Sequence, residues 1–177
     1  MKKILALMLA LMMVFALCAC GDNASGTDEG DEESQTAEIN YDKLYYQSGD
    51  TKFGIMDELS PVLTALGDPV GTFESESCAY QGSDYFYYYD GFELTANEIE
   101  GTMFITGITV SDDTVSIPQG VKIGMDIDEA LSMMDVDYTQ SGSVYKFVEG
   151  ATVLLIRAGS DNTVAAIGYG TQANQEA

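Results

Sequence analysis

Between Tyr41 and about Thr171, short apolar runs alternate with clusters of Gly, Asp, Asn and Ser. Two of the runs have helical spacing. Leu59, Val62, Leu63 and Leu66 fall at i, i+3, i+4 and i+7, on one face of a helix. Ile127, Ala130, Leu131 and Met134 repeat that spacing 68 residues later. Ser60-Pro61 reads as an N-cap and first-turn proline with Leu59 as a staple ahead of it, and Gly67 as a stop. Asp126 with Glu129 reads as a capping box. The remaining runs are Ser77–Gln81, Tyr85–Tyr89, Phe92–Asn97 and Met103–Val110, then Val144–Val148, Thr152–Arg157 and Val164–Tyr169. They are short, rich in aromatic and β-branched residues and bounded by turn residues, as strands are. Asp90-Gly91 predicts a type I′ hairpin. The pattern as a whole predicts an α+β domain over residues 41–172, made of two tandem helix-plus-antiparallel-meander units at about 41–114 and 115–172. A single helix cannot cover such a sheet, so the two units are expected to pack on one another.

The chain ahead of this domain has a different character. Lys2 and Lys3 precede an unbroken apolar stretch from Ile4 to Leu17. As a helix it spans about 21 Å, short of the roughly 30 Å of bilayer hydrocarbon, so it reads as a secretory signal rather than a permanent span. Residues 21–40 are mainly Gly, Ser, Thr, Asp and Glu. Such a segment buries too little to offset its ordering entropy, and reads as a disordered acidic tether with an end-to-end distance of roughly 25 Å. Residues 173–177 read as a short tail.

Leu17-Cys18-Ala19-Cys20-Gly21 resembles a bacterial lipobox. The resemblance implies a signal peptide over residues 1–19, acylation of the Cys20 thiol with palmitate-type chains, and a protein anchored through lipid at the extracytoplasmic face of the cell membrane. Each buried acyl CH₂ contributes about 0.8 kcal/mol to such an anchor. Within the domain, Lys52-Phe53-Gly54 with Leu66-Gly67-Asp68-Pro69, and Lys122-Ile123-Gly124-Met125 ahead of the second helix, resemble the small lipoprotein fold of the BamE (SmpA/OmlA) group. Used twice, the pattern resembles the tandem architecture of β-lactamase inhibitor protein. The second unit departs from it, since Asp135-Val136-Asp137 replaces Leu-Gly-x-Pro. The resemblance implies a protein-binding scaffold at the envelope.

Composition narrows the chemistry. The 177 residues include no His, so imidazole-based catalysis, metal ligation and pH switching are excluded. The net charge of −22 argues against nucleic acid and favours a partner with a basic surface. Cys78, the one cysteine after Cys20, reads as a small buried hydrophobe, since no imidazole is present to activate it. The densest aromatic run is Tyr85-Phe86-Tyr87-Tyr88-Tyr89. On a strand, Tyr85, Tyr87 and Tyr89 point one way and Phe86 and Tyr88 the other. Tyr85, Tyr87 and Tyr89 are the candidate binding residues, toward a protein or toward glycan rings; the alternative is that both sides of the strand are covered. The acidic tether shows no EF-hand loop, and Asp126, Asp128, Glu129, Asp135 and Asp137, with Asp84, Asp90, Asp112 and Asp113 elsewhere, form a second constellation for which calcium binding and paired-carboxylate hydrolysis are the alternatives to structural roles. Asp126 and Glu129 are accounted for as cap groups. The sequence thus predicts no catalytic residue, no metal ligand and no cofactor. It predicts a surface-anchored, non-enzymatic lipoprotein that binds an envelope or extracytoplasmic protein, the alternative being a solute- or glycan-binding lipoprotein.

Overall fold

A computed structural model describes residues 43–172, which lie within one compact unit. The signal segment, Cys20, the tether and residues 173–177 lie outside the described residues. The strands are β1 (Tyr46–Ser48), β2 (Thr51–Phe53), β3 (Gly71–Glu76), β4 (Ser83–Tyr89), β5 (Phe92–Ile99), β6 (Thr102–Val110), β7 (Tyr138–Ser141), β8 (Val144–Glu149), β9 (Thr152–Ala158) and β10 (Val164–Thr171). The helices are α1 (Leu59–Leu66), after β2, and α2 (Ile127–Ser132), after β6. β1 and β2 form a separate hairpin. The other eight strands form one antiparallel sheet in the order β3-β4-β5-β6-β10-β9-β8-β7.

This arrangement corrects the expected α+β fold of two helix-plus-meander units packed together. The described domain is mostly β, its helices span only 8 and 6 residues, and its long strands belong to a single sheet. The joint is β6 against β10, with Val110 opposite Ile167 and Ile108 opposite Tyr169. Backbone hydrogen bonding at that joint satisfies two edges that stacked sheets would leave open.

One side of the sheet carries the core. Phe92 and Leu94 of β5, Ile108 and Val110 of β6, Ile167 and Tyr169 of β10, and Leu154 and Ile156 of β9 are buried there. The covering layer is assembled from several pieces: Tyr46 and Phe53 of the β1–β2 hairpin, Leu59 and Val62 of α1, Ile127 and Ala130 of α2, and Ile117 and Val121 of the segment between β6 and α2 all join the same cluster. At its centre, Tyr46 packs its ring 5.5 Å from Phe53, 5.0 Å from Phe92 and 6.2 Å from Tyr169.

Local chemistry sets the element boundaries. α1 begins at Leu59, two residues earlier than the Ser60 cap predicts; its N-cap is Glu58, whose side chain makes no cap hydrogen bond. The reason is a tertiary contact: Met56 N–H donates to Ile105 O at 2.8 Å and Ile105 N–H to Asp57 O at 2.9 Å, pinning the approach to the helix on β6. At α2 the Asp126 carboxylate accepts from the N–H groups of Asp128 and Glu129, as a capping residue should. Tyr89-Asp90-Gly91-Phe92 is a two-residue turn in which only Gly91 takes positive φ, so it is not type I′. The turn with both central residues at positive φ is Glu100-Gly101, at 54° and 84°, between Ile99 and Thr102.

Candidate interaction face

In β4, Tyr85, Tyr87 and Tyr89 pair with Ala96, Leu94 and Phe92 of β5. They therefore share the core side of the sheet. Tyr89 stacks on Phe92 with centroids 5.1 Å apart, and its hydroxyl donates to Gly67 O at 3.0 Å, tying the strand to the end of α1. Tyr87 also packs against the core. Burial raises both phenols above their ordinary pKa, with Tyr85 adding to the effect at Tyr87, and Asp68 and Tyr87 at Tyr89. Tyr85 instead opens onto a surface groove of about 510 Å³ shared with Tyr80, Ser83, Glu98 and Glu100. The three candidate tyrosines are thus neighbours on one strand: Tyr85 lines this groove, while Tyr87 and Tyr89 pack toward the core.

The opposite side of β4 carries Phe86 and Tyr88. Phe86 pairs with Phe73 of β3, and their rings lie 5.9 Å apart. Phe73 is 58% exposed and Tyr88 37%. None of the three belongs to the core cluster, and both helices and the β1–β2 hairpin pack on the other side. Strand pairing extends this side across the whole sheet in rows. One row runs Gly71, Tyr88, Glu93, Thr109, Gly168, Leu155, Lys146 and Thr139, a single residue from each of the eight strands. A parallel row runs Phe73, Phe86, Thr95, Gly107, Gly170, Val153 and Val148. This side is therefore aromatic and acidic at its β3–β5 end, has small residues in the middle, and is aliphatic and basic at its β8–β9 end. Glu93 is half-buried, and desolvation holds its carboxyl above the ordinary value. No cation lies within salt-bridge distance of it among the described residues, and none of the described carboxylates pairs with Lys146 or Arg157.

The acidic candidates have structural roles elsewhere. Asp126 caps α2. Asp135 meets Lys43, whose Nζ lies 3.1 Å from its carboxylate and donates to its main-chain oxygen at 2.8 Å. Asp84 accepts from Asn97 Nδ2. Asp112 accepts from Thr114, and Asp161 from Thr163; the hydroxyl and N–H bonds hold both carboxyls below their ordinary values. Among the described residues, no three acidic or Cys side chains gather as a metal site. Cys78 corrects the expectation of burial: it is exposed, in the β3–β4 connection where Ser77 Oγ accepts from the N–H groups of Ala79 and Tyr80. That loop occupies the position expected for a strand at Ser77–Gln81; the strand lies earlier, at β3.

Sequence reasoning missed Phe73, Glu93, Leu155 and Lys146 as members of one surface. The parity of β4 was the available signal, since it divides the five aromatics between two sides. Which side faces the core depends on β5, where Phe92 and Leu94 are buried and Glu93 points away.

No family model and no curated protein matches the chain. Among solved structures, the chain is similar to a cysteine-rich secretory protein from Staphylococcus aureus subsp. aureus Mu50, with a TM-score of 0.45, 9% identity, and coverage of 67% of this chain and 44% of that one. It is also similar to an extracellular protein containing an SCP domain from Bacillus anthracis strain Ames, with a TM-score of 0.43, 9% identity, and coverage of 87% and 52%. The chain thus spans about half the length of those structures. The expected resemblance to the BamE group and to β-lactamase inhibitor protein is corrected: neither is among these findings, and the single eight-stranded sheet is not two helix-plus-meander units. At 9% identity, the similarity assigns no activity to the chain.

Proposed function

We propose that the chain is a non-catalytic protein-interaction module of the bacterial envelope, anchored through lipid at Cys20 on the extracytoplasmic face of the cell membrane. The acidic segment to residue 40 serves as its tether. The observation that carries the interaction role is the β3–β4 end of that side of the sheet, where Phe73 and Tyr88 are exposed beside the partly exposed Phe86 and no described helix or hairpin packs. Aromatic groups of this kind supply contact area at small entropic cost. The net charge of −22 and the unpaired Glu93 carboxylate favour a protein partner with a basic surface. A second reading, a solute or glycan held between Tyr80 and Tyr85, is favoured by the groove of about 510 Å³ at that end of the sheet.

The test is capture from native membranes with the wild-type chain and a Phe73→Ser/Tyr88→Ser variant. Both substitutions are on exposed side chains, so the variant is expected to accumulate at the wild-type level yet lose its captured protein. Retention of the same captured protein overturns the assignment to this side. In the same cells, Cys20→Ser is expected to move the chain out of the membrane fraction, and a chain that stays membrane-bound refutes the anchor.

A further inference from the structure

We propose that the groove between Tyr80 and Tyr85 binds a small organic cation, a free solute that carries an alkylated ammonium group. The inference rests on the second reading above, that of a solute held in this groove, and it names the chemical class of that solute. Four side chains set the chemistry: the rings of Tyr80 and Tyr85 and the carboxylates of Glu98 and Glu100, around a space of about 510 Å³. That volume lies within the range of about 300–1,000 Å³ typical of small-molecule sites.

The fold holds these groups in place. Tyr80 is fixed at both ends: its N–H donates to Ser77 Oγ at 3.0 Å, and its hydroxyl shares a hydrogen bond with Thr171 Oγ1 of β10 at 3.1 Å. Tyr85 is paired on both sides, with Glu74 of β3 and Ala96 of β5. Glu98 lies two residues beyond Ala96 on the same strand, which makes it the diagonal neighbour of Tyr85 on one side of the sheet. Such neighbours are about 7–8 Å apart, within reach of a long side chain. Glu100 lines the groove from the turn between β5 and β6. Gly82 and Gly101 line it as well, and a Cβ on either would meet no atom within 4 Å, so the space above them is open.

Charge and hydrogen bonding select the occupant. Neither the Glu98 nor the Glu100 carboxylate has a hydrogen bond or an ion pair among the described residues, and no Lys or Arg lines the groove. Lys43 is held by Asp135, and Lys52 lies over the Tyr45 ring with its Nζ 5.1 Å from the centroid. In that second contact a tyrosine face of this chain already holds an ammonium group. An ionised carboxylate only accepts hydrogen bonds, and the Tyr80 hydroxyl is engaged with Thr171. The charged groups of the groove therefore repel an anion and offer no donor to the oxygens of a neutral ligand. The net charge of −22 draws a cation toward the chain. Alkylation matters because both glutamates are exposed. A bare ammonium stays strongly hydrated and gains little from exposed carboxylates, whereas an alkylated one sheds water readily and lays methyl groups on the tyrosine rings.

An NMR titration of the intact lipidated chain in polyoxyethylene-ether micelles, which carry neither sugar nor ammonium, tests the site. Choline chloride replaces sodium chloride at constant ionic strength, and the ring protons of Tyr80 and Tyr85 are followed. Both sets are expected to shift saturably with choline, and to respond to dimethylbutanol, its uncharged carbon isostere, with an affinity at least about tenfold lower. Glu98→Gln and Glu100→Asn are each expected to weaken choline about threefold and to leave the isostere unchanged. Glu100→Asn also relieves the positive φ of 54° at that residue, so its loss of affinity comes in a fold at least as stable as the wild type. Tyr85→Leu is expected to abolish the response at Tyr80. Equal affinity for choline and its isostere, or choline affinity unchanged in both glutamate variants, overturns the proposal. If N-acetylglucosamine oligomers shift the same rings and choline does not, the solute reading stands and the cation is excluded. If neither shifts them, both readings fall.

Discussion

The Tyr169 hydroxyl is buried without a hydrogen-bond partner, on a residue only 4% exposed. Its ring belongs to the aromatic centre with Tyr46, so the residue is retained for packing while its oxygen is unsatisfied. An unpaired buried hydroxyl costs about 1–3 kcal/mol in desolvation. Tyr169→Phe keeps the ring and removes that cost, so it is expected to raise stability by about 1 kcal/mol, a few degrees in Tm, in thermal unfolding at neutral pH. The effect should grow in alkali. Burial pushes Tyr46 up to about 12 and raises Tyr169 as well, so in the folded chain both phenols stay neutral where unfolded ones ionise. Stability linked to them is complete below pH 10 and is lost as pH rises from 10 through about 12. The Tyr169→Phe variant should lose less over that window than the wild-type chain; an equal loss in both refutes the linkage. Sequence reading made the aromatic weight of this centre visible but not its unsatisfied oxygen, because a missing partner is defined only once the surrounding atoms are placed.

Among the elements, the turns show how local signals compete with the sheet. Asp90-Gly91 has the sequence of a type I′ turn, yet only Gly91 adopts positive φ. Glu100-Gly101 lacks that sequence, and both residues adopt positive φ there, Glu100 at 54°. Pairing of Ile99 with Thr102 across a two-residue loop demands that geometry, and the β5–β6 ladder behind it imposes the strain on Glu100. Glu100→Asn substitutes a residue at ease with positive φ, and is expected to stabilise the chain by about 0.5–1 kcal/mol in denaturant unfolding. Asp90→Asn, at a position without positive φ, should change stability by less than about 0.5 kcal/mol. Equal effects would show that conformation at Glu100 is not the determining factor. The helices follow the same logic. The apolar spacing at Leu59–Leu66 and at Ile127–Ala130 places both helices, while the first cap lies at Glu58 because Met56 and Asp57 are bonded to Ile105, a contact no local window contains.

For the whole molecule, the decisive contact is between β6 and β10, strands whose paired residues, Val110 and Ile167, are far apart in sequence. An alternating pattern reads the same whether strands close a second sheet or extend the first, which is why the strand runs were legible and their union into one sheet was not. The same union places Glu93 and Lys146 toward opposite ends of one side of the sheet, and salt tests how charge acts on the fold as a whole. Across the chain, 29 carboxylates oppose 7 basic residues, and among the described residues the one ion pair is Lys43 with Asp135. Intrachain electrostatics are therefore dominated by repulsion, which salt screens over a Debye length falling from about 30 Å at 0.01 M to about 8 Å at 0.15 M. The Tm of the chain is expected to rise by a few degrees over that range. A Tm that falls with salt would mean that attraction, not repulsion, dominates the electrostatics inside the fold.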